Sequence, residues 1–157
     1  MHSHVHLFLQ PSEAFSLEKT MHFINGTYAR EYNLKNKRKG HLWLDRYKSI
    51  PVESDKHALD LMRYINRNAL RAGIVTEVGK WKWSGYRFYA FGEPNDLLEA
   101  HPTYLGLSTN PKIRQSSFRS YVSQNLSNDR EEREYFSQSK FIGSSSFAQA
   151  LGLSTGL

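Results

Sequence analysis

The stretch "HSHVHLFL", residues 2–9, decides how the chain is read. It alternates strictly, with His2, His4, His6 and Phe8 on one side of an extended backbone and Val5, Leu7 and Leu9 on the other. A period of two belongs to a strand with one face in a core, so the stretch predicts a strand with a core side and a histidine side. Pro11 and Ser12 end the run. Further on, "HLWLDRYKSIPVE" (41–53) is aromatic and then β-branched. It predicts a second strand, with Pro51 confined to its tail or to an edge.

Helical spacing fills the rest. Ser16 is placed to cap a helix whose apolar stripe runs Leu17, Met21, Ile24, Tyr28, Tyr32. "NLKNKRKG" (33–40) then reads as an exposed basic turn. Ser54 or Asp55 is expected to cap the strongest helix, "DKHALDLMRYINRNALRAG" (55–73), with Ala58, Leu61, Met62, Ile65 and Ala69 as its buried stripe and Gly73 as its stop. Tyr64 and Asn68, four apart, lie one above the other beside that stripe. "WKWSGYRFYAFGEPND" (81–96) reads as an irregular aromatic segment entering a loop. Beyond it, Asn110 and Pro111 open a helix carrying Ile113, Phe118, Tyr121 and Val122. "NDREEREYF" (128–136) begins another, and Ser144 to Ser146 cap a last short one. The expected architecture is therefore α+β, with residues 1–96 as the principal domain and 97–157 as a helical extension.

At 157 residues the chain is long enough for one compact core. It has no cysteine, which excludes disulfides, thiolate metal sites and cysteine nucleophiles. No apolar run approaches the ~18 residues of a membrane span, and the N-terminus lacks a secretory layout, so a cytoplasmic protein is expected. The net charge of +6 is concentrated in the middle, where residues 26–90 hold 14 Lys and Arg against 6 Asp and Glu. Tyr28, Tyr32, Trp43, Tyr47, Tyr64, Trp81, Trp83 and Tyr86 are interleaved with those cations. That mixture suits phosphates and stacked bases, although a solvated basic face is an equal alternative from composition alone.

Two histidines one residue apart on a strand point the same way and can reach one divalent ion, with Asn68 a candidate third donor. Tyr64 offers a phenol able to attack a phosphate when a cation is close. Taken singly, an HxH pair is more often surface sequence, a helical tyrosine packs, and a helical asparagine is solvated. The three together, joined by a basic aromatic segment, favour chemistry.

In that order, "HSHVHLFLQP" (2–11), "YAREYNLKNKRKGHLWLDRYKSIPVES" (28–54), "YINRNALRAGIV" (64–75) and "WKWSGYRFY" (81–89) resemble the single-tyrosine HUH transposases, specifically the REP-associated tyrosine transposases. The resemblance runs from residue 1 to about residue 107, with a looser likeness around "FIGSSSFAQAL" (141–151). It implies an incomplete ferredoxin-like antiparallel sheet with helices, His4 and His6 as the metal-binding pair, Asn68 as third ligand and Tyr64 as nucleophile. It implies Mg2+ or Mn2+ as cofactor and single-stranded, hairpin-bearing DNA as partner, nicked and transferred through a 5′-phosphotyrosine link. Arg30, Lys35, Lys37, Arg38, Lys39, Trp43, Arg46, Tyr47, Lys48, Arg63 and Arg67 are the expected DNA contacts. Such proteins carry a strand, helix and strand before the histidines that have no counterpart here, so an N-terminally truncated form is expected. Two rivals follow: a noncatalytic DNA-binding remnant, and a basic structural or protein-interaction domain.

Overall fold

The computed structural model describes residues 4–12, 16–124 and 129–153. Its elements are α1 (Leu17–Lys35), α2 (Ser54–Arg71), a 3-10 turn (Val78–Lys80), α3 (Tyr86–Phe91), α4 (Pro102–Leu105), α5 (Pro111–Ser123), α6 (Asp129–Gln138) and α7 (Ser145–Ala150). Two compact units result: the described part of Met1–Leu7 with Ile50–Leu157, and Phe8–Ser49. Residues on both sides of position 96 pack within the first of these, with α3 against α5 and α2 against α4, α5 and α6.

The ferredoxin-like antiparallel sheet is corrected by this structure. Among the described residues there is no β-strand; one isolated parallel bridge joins Val52 and Ile142. Residues 4–12 and 41–49 are irregular, and Val5, Leu7 and Leu9, the side expected in a core, are exposed. The reason is that alternation specifies which side chains share a face and says nothing of a partner. A strand exists only when a neighbour accepts its ladder hydrogen bonds. His2 lies outside the described residues.

In the larger unit, α2 is the central element. Ala58, Leu61, Met62 and Ala69 of its expected stripe are buried, whereas Ile65 is half-buried and Tyr64, placed beside the stripe, is buried with it. Gly73 ends the helix at φ 66°, and the amides of Gly73 and Ile74 donate to the carbonyls of Leu70 and Ala69. This double bond pattern satisfies carbonyls that the last turn leaves open. At the other end, Glu53 flanks the helix without capping it through its side chain. Its carboxylate instead accepts from the backbone N–H and the hydroxyl of Ser144, the residue that caps α7.

A second aromatic cluster holds α3, α4 and α5 together. Phe118, fully buried, meets Tyr86, Tyr89 and Tyr104 at centroid distances of 6.4, 5.4 and 5.6 Å. Here the segment read as irregular forms α3, closed by Gly92 at φ 71°. In the smaller unit, Ser16 caps α1 as expected, accepting from the Lys19 N–H. The basic turn folds back on the helix end, with Asn33 Nδ2 donating to the Gly40 carbonyl at 2.9 Å.

Candidate active site

Tyr64 sits in the middle of α2 and is 4% exposed. His6 meets its ring edge-on with centroids 5.6 Å apart, and His4 meets His6 in the same way at 5.0 Å. Phe136 of α6 lies across the Tyr64 ring at 4.9 Å and 33°, and the Arg71 guanidinium is 5.2 Å from the ring centroid. The structure thus brings the histidine pair and the tyrosine together. It does so with an irregular segment where a strand was expected.

His6 keeps one side exposed while its ring edge lies against Tyr64. Its pKa is lowered from 6.5, first by the partial desolvation this contact brings and then by the neighbouring His4. A neutral imidazole is the form that donates a lone pair to a metal ion. Asn68 lies one turn beyond Tyr64, and its Nδ2 is buried without a hydrogen-bond partner among the described residues. The two ends of an amide exchange by a half-turn of the side chain, which would present Oδ1 at the same place. Two imidazoles and an amide oxygen fit a small divalent cation that keeps open positions for a substrate oxygen. Among the described residues, no cluster of three His, Asp or Glu side chains offers another metal site.

Arg63 and Arg67, expected as DNA contacts, are occupied within the protein. Arg63 is 8% exposed and pairs with Asp60 at 2.7 Å and Glu132 at 3.0 Å, its guanidinium stacked 4.5 Å from the centroid of Tyr121. Arg67 donates to the carbonyls of Val122 and Gln124 at 2.9 and 2.8 Å. Both therefore tie α2 to its neighbours. Arg71 pairs with the same Glu132 and donates to the Tyr64 carbonyl. Asp60 accepts from the Tyr121 hydroxyl, and burial, then that hydrogen bond, raises the Tyr121 pKa.

The remaining expected contacts, Arg30, Lys35, Lys37, Arg38, Lys39, Trp43, Arg46, Tyr47 and Lys48, belong to the smaller unit and are exposed. Arg30 pairs with Glu31 at 3.2 Å. Trp43 donates from Nε1 to the Asn25 carbonyl at 3.0 Å. Spacing did not point to Arg71 and Phe136 as neighbours of Tyr64, nor to Glu132 as the partner of Arg71. Arg71 was findable, being seven residues on along one helix face, which is two turns. Glu132 and Phe136 share a face of α6, but no sequence spacing says that this face meets α2.

Compared with known proteins, residues 1–68 match the family model described as "Transposase IS200 like". The matched segment contains His4, His6, Tyr64 and Asn68 together with the whole of the smaller unit. It supports a transposase and DNA transposition, without distinguishing the REP-associated branch. No curated protein and no solved structure matches the chain. No helix among the described residues is long and apolar enough to cross a membrane.

Proposed function

We propose that the protein nicks single-stranded DNA and transfers the strand, with Tyr64 as nucleophile. The observation that carries this reading is the edge-on contact between His6 and Tyr64, which sets a metal-competent histidine pair beside a phenol. His4, His6 and Asn68 would hold Mg2+ or Mn2+, whose charge would polarise the scissile phosphate. The Tyr64 phenol loses its proton to water and its oxygen bonds to phosphorus, while the bond to the 3′ oxygen breaks and that oxygen takes up a proton. One phosphodiester replaces another, leaving a 5′-phosphotyrosine and a free 3′-OH. Reversal with a second 3′-OH reseals or transfers the strand without ATP. The Arg71 guanidinium over the Tyr64 ring would hold the ring in place during attack. DNA of this kind, bearing a hairpin, is the proposed substrate, and the exposed basic turn of the smaller unit is the proposed backbone contact.

A second reading has its own support in the burial of Tyr64: at 4% exposure the groups covering the ring must yield before a phosphate reaches it. On that reading the chain binds DNA without cutting it. The two separate in one experiment. The protein is incubated with Mn2+ and a labelled, hairpin-bearing single-stranded oligonucleotide, and a denaturation-resistant adduct is sought. An adduct that disappears in Tyr64→Phe and in excess chelator is expected. A folded wild-type sample giving none, or a Tyr64→Phe sample giving as much, sinks the nucleophile.

A further inference from the structure

We infer that Tyr28, Tyr32 and Trp43, with the basic turn beside them, form a stacking surface for the unpaired bases of single-stranded DNA. DNA as the polymer rests on the transposase reading, whereas the stacking itself rests on the geometry of the smaller unit. By its spacing the stripe of α1 belongs in a core. Met21 is buried, yet Ile24, Tyr28 and Tyr32 are 46%, 53% and 36% exposed. The rings lie against one another despite that exposure. Tyr28 lies 6.0 Å from Tyr32 at 32° and 5.6 Å from Trp43 at 37°, so the three run as a shallow ladder of tilted faces. The hydrogen bond from Trp43 Nε1 to the Asn25 carbonyl pins the indole to α1. Asn33 holds the returning turn at both the Arg38 N–H and the Gly40 carbonyl. Positive φ at Lys37 and Gly40 lets the chain reverse there.

Charge selects the occupant. Residues 30–48 carry seven Lys and Arg against two acids. Among the described residues, no carboxylate pairs with Lys35, Lys37, Arg38 or Lys39, and the Arg38 guanidinium lies 5.8 Å from the Tyr32 ring centroid. His41, Leu42, Trp43 and Leu44 line an open hollow at the same place. An apolar partner would leave these cations without counter-charge, and a polyanion without bases would leave the rings unused. Single-stranded DNA engages both, its phosphates on the turn and its bases on the ring faces.

The test uses the full chain carrying Tyr64→Phe, in chelator, so that binding is read apart from cleavage and failure of one leaves the other standing. Binding of a 12-nucleotide thymidine oligomer and of an abasic oligomer of equal charge is followed by fluorescence anisotropy. The thymidine oligomer should bind at least about fivefold more tightly, the lower end for one stacked base. Trp43→Ala and Tyr28→Leu should each remove most of that difference, and Trp43→Phe, which keeps an aromatic face but lacks the Nε1 donor, should restore part of it. Tyr28 is exposed enough that its variant keeps the fold even if Trp43→Ala does not. Equal binding of the two oligomers overturns the proposal in favour of a plain polyanion surface. Unchanged oligomer binding by Tyr28→Leu overturns it too. So does a dimer in sedimentation that these substitutions dissociate with DNA affinity unchanged, since the face would then meet a second copy.

Discussion

Glu132 holds two guanidinium groups at once, those of Arg63 and Arg71, with all three side chains about nine-tenths buried. Arg63 reaches on to Asp60, and Arg71 lies over Tyr64, so the carboxylate sits between α2 and its neighbours and fixes the surroundings of the candidate nucleophile. Removing the Glu132 charge takes a carboxylate from both buried guanidinium groups and leaves Arg63 with Asp60, a loss of up to about 3–5 kcal/mol. Glu132→Gln should lower the denaturant stability by that order. Glu93→Gln, which breaks a half-exposed pair with Arg87 at 3.4 Å, should change it by less than about 1 kcal/mol. Equal losses in the two variants would show that the buried network contributes no more than an ordinary surface pair.

The elements around the site are held by aromatic packing more than by their own helical propensity. Here α3 spans Tyr86–Phe91 and α4 Pro102–Leu105, each shorter than the ~12 residues an isolated helix needs in water. Both depend on Phe118 of α5, which is fully buried among Tyr86, Tyr89 and Tyr104. Phe118→Ala should destabilise the protein by about 3–5 kcal/mol in chemical denaturation, the range for emptying a buried aromatic site. A much smaller loss would mean that the neighbouring rings collapse into the space. This cluster also shows how far patterns reach. The cap of α5 was readable because Asn110 satisfies the Lys112 and Ile113 amides locally. The existence of α3 was not, because its helical state is fixed by rings that arrive from α4 and α5.

For the molecule as a whole, one buried and two half-buried tyrosines set an alkaline limit. Burial is the first cause of the raised pKa at Tyr86, Tyr89 and Tyr121, against an ordinary value of 10.0. A folded pKa above the unfolded one means the native state holds the proton more tightly. The contribution is therefore fully present below pH 10 and is lost as pH rises above it, while the unfolded chain ionises first. Stability should fall as the pH rises above about 10. Tyr121→Phe should flatten that fall while lowering stability near neutrality through loss of the Asp60 hydrogen bond. A slope in the variant identical to that of the parent would place the alkaline sensitivity elsewhere.

By itself the sequence determined what depends on near neighbours along the chain. It placed the caps at Ser16, Asn110 and Ser144, the stop at Gly73, the buried stripe of α2, and Tyr64 and Asn68 on adjacent turns of one helix. It also placed the cations of residues 26–90 against interleaved aromatic rings. Tertiary structure decided whatever needed a partner from far away. The alternation around His4 and His6 finds no neighbouring strand among the described residues and stays irregular, yet His6 still packs against Tyr64. Arg63 and Arg67 turn inward because α5 and α6 bring them carboxylate and carbonyl oxygens. The stripe of α1, which spacing assigns to a core, is largely exposed. A periodic pattern states which side chains share a face; only the folded chain supplies the surface that the face meets.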